Sequence, residues 1–109
     1  MRLISTTPPM LVHSVYFWLK PGTTPAARRR FLAGLGSLAA IRTVDRIRFG
    51  PPAKLKERDV TERSFDFALT IEFKNAAAHD AYQVDLIHEA FVEANKALWK
   101  RVKVFDSEA

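Results

Sequence analysis

Residues 10–19 are apolar at nearly every position, with Val15, Tyr16, Phe17 and Trp18 in one run. Such a run suits a β-strand covered on both faces better than one half open to water. Pro21 and Gly22 then make a turn, and Thr24 before Pro25 supplies an N-cap followed by proline at the first helical position. The helix is predicted to about Ala39, with Phe31, Leu32, Leu35, Leu38 and Ala39 on one face at helical spacing. Gly34 and Gly36 inside it each cost about 1 kcal/mol relative to alanine, which calls for a packing reason; room beside Phe31 and Leu35 is one.

Val44 to Phe49 alternates as a short strand stopped by Gly50, Pro51 and Pro52, and Arg46 and Arg48 on one side mark it as an edge. Residues 53–64 are mostly charged and aperiodic, an exposed loop. From Phe65 to Phe73 the alternation is clean, with Phe65, Phe67, Leu69, Ile71 and Phe73 on one face. Asn75 caps a helix from Ala76 to about Val84. After a break near Asp85 a second helical stretch runs from Leu86 to Leu98, and a last strand spans Lys100 to Phe105.

The order is β-α-β-β-α-β, which predicts an α+β, ferredoxin-like domain with a four-stranded antiparallel sheet. Helices on one side leave Val12, Tyr16 and Trp18 on the other, an apolar patch of a kind normally buried against a partner. Sheet-to-sheet homodimerisation follows as the expectation.

Composition narrows the function classes. A chain of 109 residues makes one domain that buries roughly 60–65% of its unfolded surface, with little core volume left over for a large ligand. There is no cysteine, so disulfides, thiolate nucleophiles and cysteine metal sites are excluded, and a reducing, cytoplasmic setting fits. No apolar run approaches the about 20 residues of a membrane helix, so no membrane is expected as partner. Residues 1–9 lack the apolar stretch of a secretory signal and read as a flexible lead-in, with Met10 as an alternative start and the domain at 10–109. The net charge of +5 admits nucleic acid as a partner, but the cations are scattered. Arg28, Arg29 and Arg30 fan over about 200° of a helix, and no stacking aromatics are interleaved with them. A solvated basic surface is the expected reading.

Four segments in order carry a family resemblance: His13-x-Val15-x-Phe17-x-Leu19-Lys20; Phe67-Ala68-Leu69-x-Ile71-x-Phe73; Tyr82 followed by His88 and Phe91; and Trp99-x-x-Val102-x-Val104-Phe105-Asp106. From Met10 to Asp106 the chain resembles the stress-response A/B barrel (Dabb) family. The resemblance implies a ferredoxin-like subunit that dimerises through its sheet into an α/β barrel. Some plant members are polyketide cyclases that close a linear thioester by aldol condensation without metal or cofactor. In those enzymes a histidine at the place of His88 and a tyrosine at that of Tyr82 are catalytic, and a strand histidine matching His13 lines the pocket. The chain departs from the family at Asp85-Leu86-Ile87-His88, where the usual stretch is His-Pro-x-His, and at Leu35 and Gly36, where the cyclases carry bulkier residues.

In that register His13 shares the helix-facing side of the sheet with Val15 and Phe17, and helical spacing puts Phe91 and Val92 on the face of His88. A neutral imidazole beside a phenol can remove a proton alpha to a carbonyl, the phenol bonding the oxygen as enolate charge develops. The catalytic candidates are therefore His88 and Tyr82, and the ligand-binding candidates His13, Val15, Phe17, Phe31, Leu35, Leu69, Phe91 and Trp99. No cofactor and no metal is expected, since histidines 66 and 9 residues apart match no ligand motif. His79, between Ala78 and Asp80, is expected on an exposed polar face.

Two functions stand side by side. One is a homodimer binding a hydrophobic, carbonyl-bearing small molecule, with cyclase-like, lyase or isomerase chemistry. The other is a non-catalytic, stress-related structural or binding module, in which Tyr82 and His88 satisfy each other in the core. A cavity of at least about 300 Å³ would favour the first, and side chains filling that space the second.

Overall fold

The apolar run forms the inner strand β1 (Leu11–Leu19) of a four-stranded sheet. A computed structural model describes residues 10–109, so the expected lead-in at 1–9 lies outside the described residues. After β1 come α1 (Pro25–Ser37), β2 (Arg46–Gly50), β3 (Phe67–Phe73), α2 (Ala76–Gln83), α3 (Leu86–Asn95) and β4 (Trp99–Glu108). The strand order is β2-β3-β1-β4 and all pairings are antiparallel. This is the expected α+β, ferredoxin-like architecture, with β2 at one edge.

Register explains why β1 needs apolar residues on both sides. His13, Val15, Phe17 and Leu19 face the helices and are buried. They alternate with Val12, Ser14, Tyr16 and Trp18 on the open face. On β3 the residues Phe67, Leu69, Ile71 and Phe73 join the buried layer. Phe31, Leu35 and Leu38 of the α1 segment are fully enclosed against it. The helix starts are local in origin: the Thr24 hydroxyl accepts the Ala27 N–H at 3.1 Å, and the Asn75 side chain accepts that of Ala78 at 2.9 Å.

Some expectations shift. The first helix ends at Ser37 and tightens into a 3₁₀ turn at Leu38–Ala40, which leaves Leu32 and Ala39 exposed rather than on the core face. Phe65 belongs to the open face, packing on Tyr16 with ring centroids 5.0 Å apart. The alternation breaks at Asp66, whose carboxylate accepts the Leu19 N–H at 2.7 Å and Arg28 Nη2 at 3.1 Å, pinning a bend before β3. The glycine in α1 makes room for a different neighbour than Phe31 or Leu35. A Cβ at Gly34 would stand 3.1 Å from Asn95 Nδ2 and 3.2 Å from Phe91 Cδ1, so Gly34 lets α3 approach closely. The last strand is longer than expected, and its helix-side residues Val102 and Val104 stay exposed on this edge strand of the sheet.

Candidate functional site

A pocket of about 160 Å³ opens between the sheet and the α2–α3 pair. Its floor is His13, Val15 and Phe17 of β1 with Leu69 of β3. Trp99, Val102 and Val104 of β4 make one side. The opposite side comes from Tyr82 and Gln83 at the end of α2, and from His88, Phe91 and Val92 of α3. The structure thus brings together eight of the ten candidate residues. Phe31 and Leu35 are the exceptions: both are fully buried in the core and take no part in the pocket wall. Phe31 sits behind the floor, its ring centroid 5.0 Å from that of Phe17.

The break between α2 and α3 decides how His88 is presented. Asp85 caps α3 by accepting the Ile87 N–H at 2.8 Å, so His88 falls in the first helical turn. Asp85 is thus a helix cap. His88 is half-buried, and burial is the first cause holding its pKa below 6.5. The Gln83 backbone carbonyl works against that shift, while His13 adds to it. A helix N-terminus also disfavours an imidazolium. Tyr82 is almost wholly buried, and burial pushes its hydroxyl well above the ordinary phenol range, keeping it a proton donor. The two rings pack tilted, with centroids 4.6 Å apart. Among the described residues no hydrogen bond links them, so their association is ring packing and not the expected Tyr-His bond.

His13 is buried and bonds Asp106 across β1 and β4, Nδ1 to Oδ1 at 2.6 Å, on directly paired positions of the two strands. His79 is not on an exposed face. Its side chain is only 20% accessible, and its ring centroid lies 5.0 Å from that of His13. One ligating atom each from His13, His79 and Asp106 lie within 4.8 Å of one another. Sequence reading passed over both Asp106 and His79. The usable signal was that His79 stands three residues before Tyr82, hence on the same face of α2. Nearby, the Trp99 indole N–H is buried without a partner.

The sequence profile described as the stress responsive A/B barrel domain matches residues 11–109. The chain belongs to that family. A Dabb family protein with a ferredoxin-like fold from Mesorhizobium loti is 26% identical; the match covers 91% of this chain and 95% of that one, with a TM-score of 0.72. A dimeric ferredoxin-like protein of unknown function from Thermobifida fusca shares 17% identity over 100% of this chain and 99% of its own, with a TM-score of 0.77. The hydroxynitrile lyase of Passiflora edulis has the same fold at 15% identity, with 94% of each chain covered and a TM-score of 0.76. No curated protein matches the sequence. The open face of the sheet holds a larger groove, about 440 Å³, between Tyr16, Trp18, Phe65 and Phe105 with Glu62 and Arg101 at its rim.

Proposed function

We propose that this Dabb protein is a homodimer whose helix-side pocket binds a small hydrophobic carbonyl compound and acts on it without a cofactor, His88 serving as base and Tyr82 as hydrogen-bond donor. The observation that carries the reading is the packing of Tyr82 on His88 in the pocket wall, with burial keeping the imidazole neutral and the phenol protonated. In the proposed reaction the free imidazole nitrogen takes a proton alpha to the carbonyl, and the phenol bonds the oxygen as negative charge collects there. Volume sets the ligand class. At about 160 Å³ the pocket is close to a cavity of about 150 Å³ known to hold benzene. A single-ring or short-chain aldehyde or ketone fits better than a long polyketide thioester.

The same volume favours a second reading. The pocket falls short of the about 300 Å³ of ordinary ligand sites, which suits a non-catalytic module whose histidines serve the core. Homodimerisation is common to both. It is supported by the apolar open face and by relatives described as dimeric. The deciding experiment is a screen of small aldehydes and ketones by thermal shift and native mass spectrometry, repeated with His88→Ala and Tyr82→Phe. Binding or turnover that neither substitution changes removes the catalytic assignment. Failure of every carbonyl compound to bind leaves the module reading.

A further inference from the structure

We propose that His13, His79 and Asp106 form a binding site for one borderline divalent transition ion of the zinc or cobalt kind. Three elements meet there. His13 projects from β1, Asp106 from the paired position on β4, and His79 from α2 above them. Their nearest ligating atoms lie within 4.8 Å of one another. Around a tetrahedral ion with bonds of about 2.0–2.1 Å the ligand atoms stand about 3.3 Å apart. Only small side-chain rotations separate the two arrangements. The His13–Asp106 contact at 2.6 Å must open, and Asp106 can yield because its side chain is 46% accessible. That accessibility also provides the route by which an ion and its waters enter.

The hydrogen bonds of His79 leave one ring nitrogen free to bind an ion. Its Nδ1 lies 3.0 Å from Asp80 Oδ1, so Nδ1–H donates to the carboxylate and the lone pair is left on Nε2. A ligating histidine commonly gives its other N–H to a carboxylate in this way, which fixes the tautomer and raises the basicity of the bound nitrogen. The one contact at Nε2 is a long one, 3.4 Å from Gln83 Nε2, which an ion readily displaces.

Chemistry of the donors selects the ion. Two imidazoles, one carboxylate and no thiolate suit zinc, cobalt or nickel, and the two nitrogens disfavour magnesium and calcium, which take oxygen ligands. Three protein ligands leave at least one position open to water. His13 also lines the helix-side pocket, so the ion would stand at that pocket's end, 6.1 Å being the distance between the His13 and Tyr82 ring centroids. The site does not depend on catalysis by His88 and Tyr82.

The test is titration of the full chain with Zn²⁺ by calorimetry and native mass spectrometry, with Mg²⁺ as control and the absorption spectrum of the Co²⁺ form as a report on coordination. One Zn²⁺ per chain is expected, with affinity lowered at least about tenfold in His79→Ala and in Asp106→Asn. Asp106 is half-exposed and the side chain of His79 bonds only to Asp80 and Gln83 of its own helix, and circular dichroism checks that both variants fold. His88→Ala should bind Zn²⁺ like the parent, separating this site from the proposed base. Binding of Zn²⁺ no tighter than Mg²⁺, or undiminished affinity in His79→Ala, overturns the site.

Discussion

Burial acts in opposite chemical senses on the two groups at the pocket wall, raising the phenol of Tyr82 and lowering the imidazole of His88, and both stay neutral as a result. For His88 the consequence for stability has a definite sign. The unfolded chain takes up this proton near 6.5 while the folded chain resists it to lower pH, so below that value the unfolded state binds more protons. Stability therefore falls as pH drops through the window below 6.5. The stability advantage of the parent over His88→Gln should shrink between pH 7 and pH 5 in urea titrations, and a constant difference would show that His88 is not desolvated. With a bound carbonyl substrate, the acidic limb of the rate profile should likewise lie below 6.5. Tyr82→Phe keeps the buried ring and removes only the donor. It should change stability by less than about 1 kcal/mol while lowering turnover about a hundredfold; equal turnover would take Tyr82 out of the reaction.

At the level of elements, periodicity located the strands and helices, most plainly β1 and β3, which each bury one face of alternating spacing, whereas β2 and β4 bury none. It failed where contacts between distant segments decide. The register of Phe65 depends on Asp66 being captured by Leu19 and Arg28, and nothing within residues 65–73 signals that bend. Phe31 and Leu35 have the spacing of pocket residues but are fully enclosed, because contacts between distant segments surround them, Phe31 meeting Phe17, Phe67 and Phe91. His79 looked exposed for the same reason: its helix face is set by where α2 lands over His13. The two glycines of α1 give a direct check on helix packing. Gly36→Ala meets only Phe49 Cζ at 3.5 Å, and Phe49 is 40% exposed and free to move, so the helix-propensity term should win. Thermal or urea unfolding should show it more stable by up to about 1 kcal/mol. Gly34→Ala meets Asn95 and Phe91, both buried, at 3.1 and 3.2 Å. Overpacking of about 1–3 kcal/mol exceeds the same gain, and the variant should lose stability. If both substitutions stabilise, α1 and α3 are not in close contact.

For the whole molecule, the open face of the sheet is the unresolved surface of the fold. Tyr16 packs between Phe65 and Phe105, with ring centroids 5.0 and 5.9 Å away, and Arg101 covers the Trp18 ring at 4.7 Å. These side chains line a shallow groove, whereas a lone soluble domain rarely keeps aromatic surface on a sheet uncovered. A second sheet laid across them would bury the aromatic centre and leave Glu62, Arg101 and Lys103 around it, the arrangement of an apolar core within a polar rim. Tyr16 is then the place to break the assembly, since it faces away from the core and away from the helix-side pocket. Tyr16→Glu puts an uncompensated carboxylate at the centre of the interface. A central aromatic of this kind is worth at least about 2 kcal/mol, roughly a thirtyfold change in the dissociation constant. Sedimentation equilibrium should show the parent as a dimer at micromolar concentration and Tyr16→Glu shifted toward monomer, with helix and sheet content retained by circular dichroism. A parent that sediments as monomer would refute the dimer. A dimer untouched by Tyr16→Glu would place the interface elsewhere, at the exposed helix-side flank of β4 with Val102 and Val104 or at the exposed Val84 and Leu86 around the α2–α3 break.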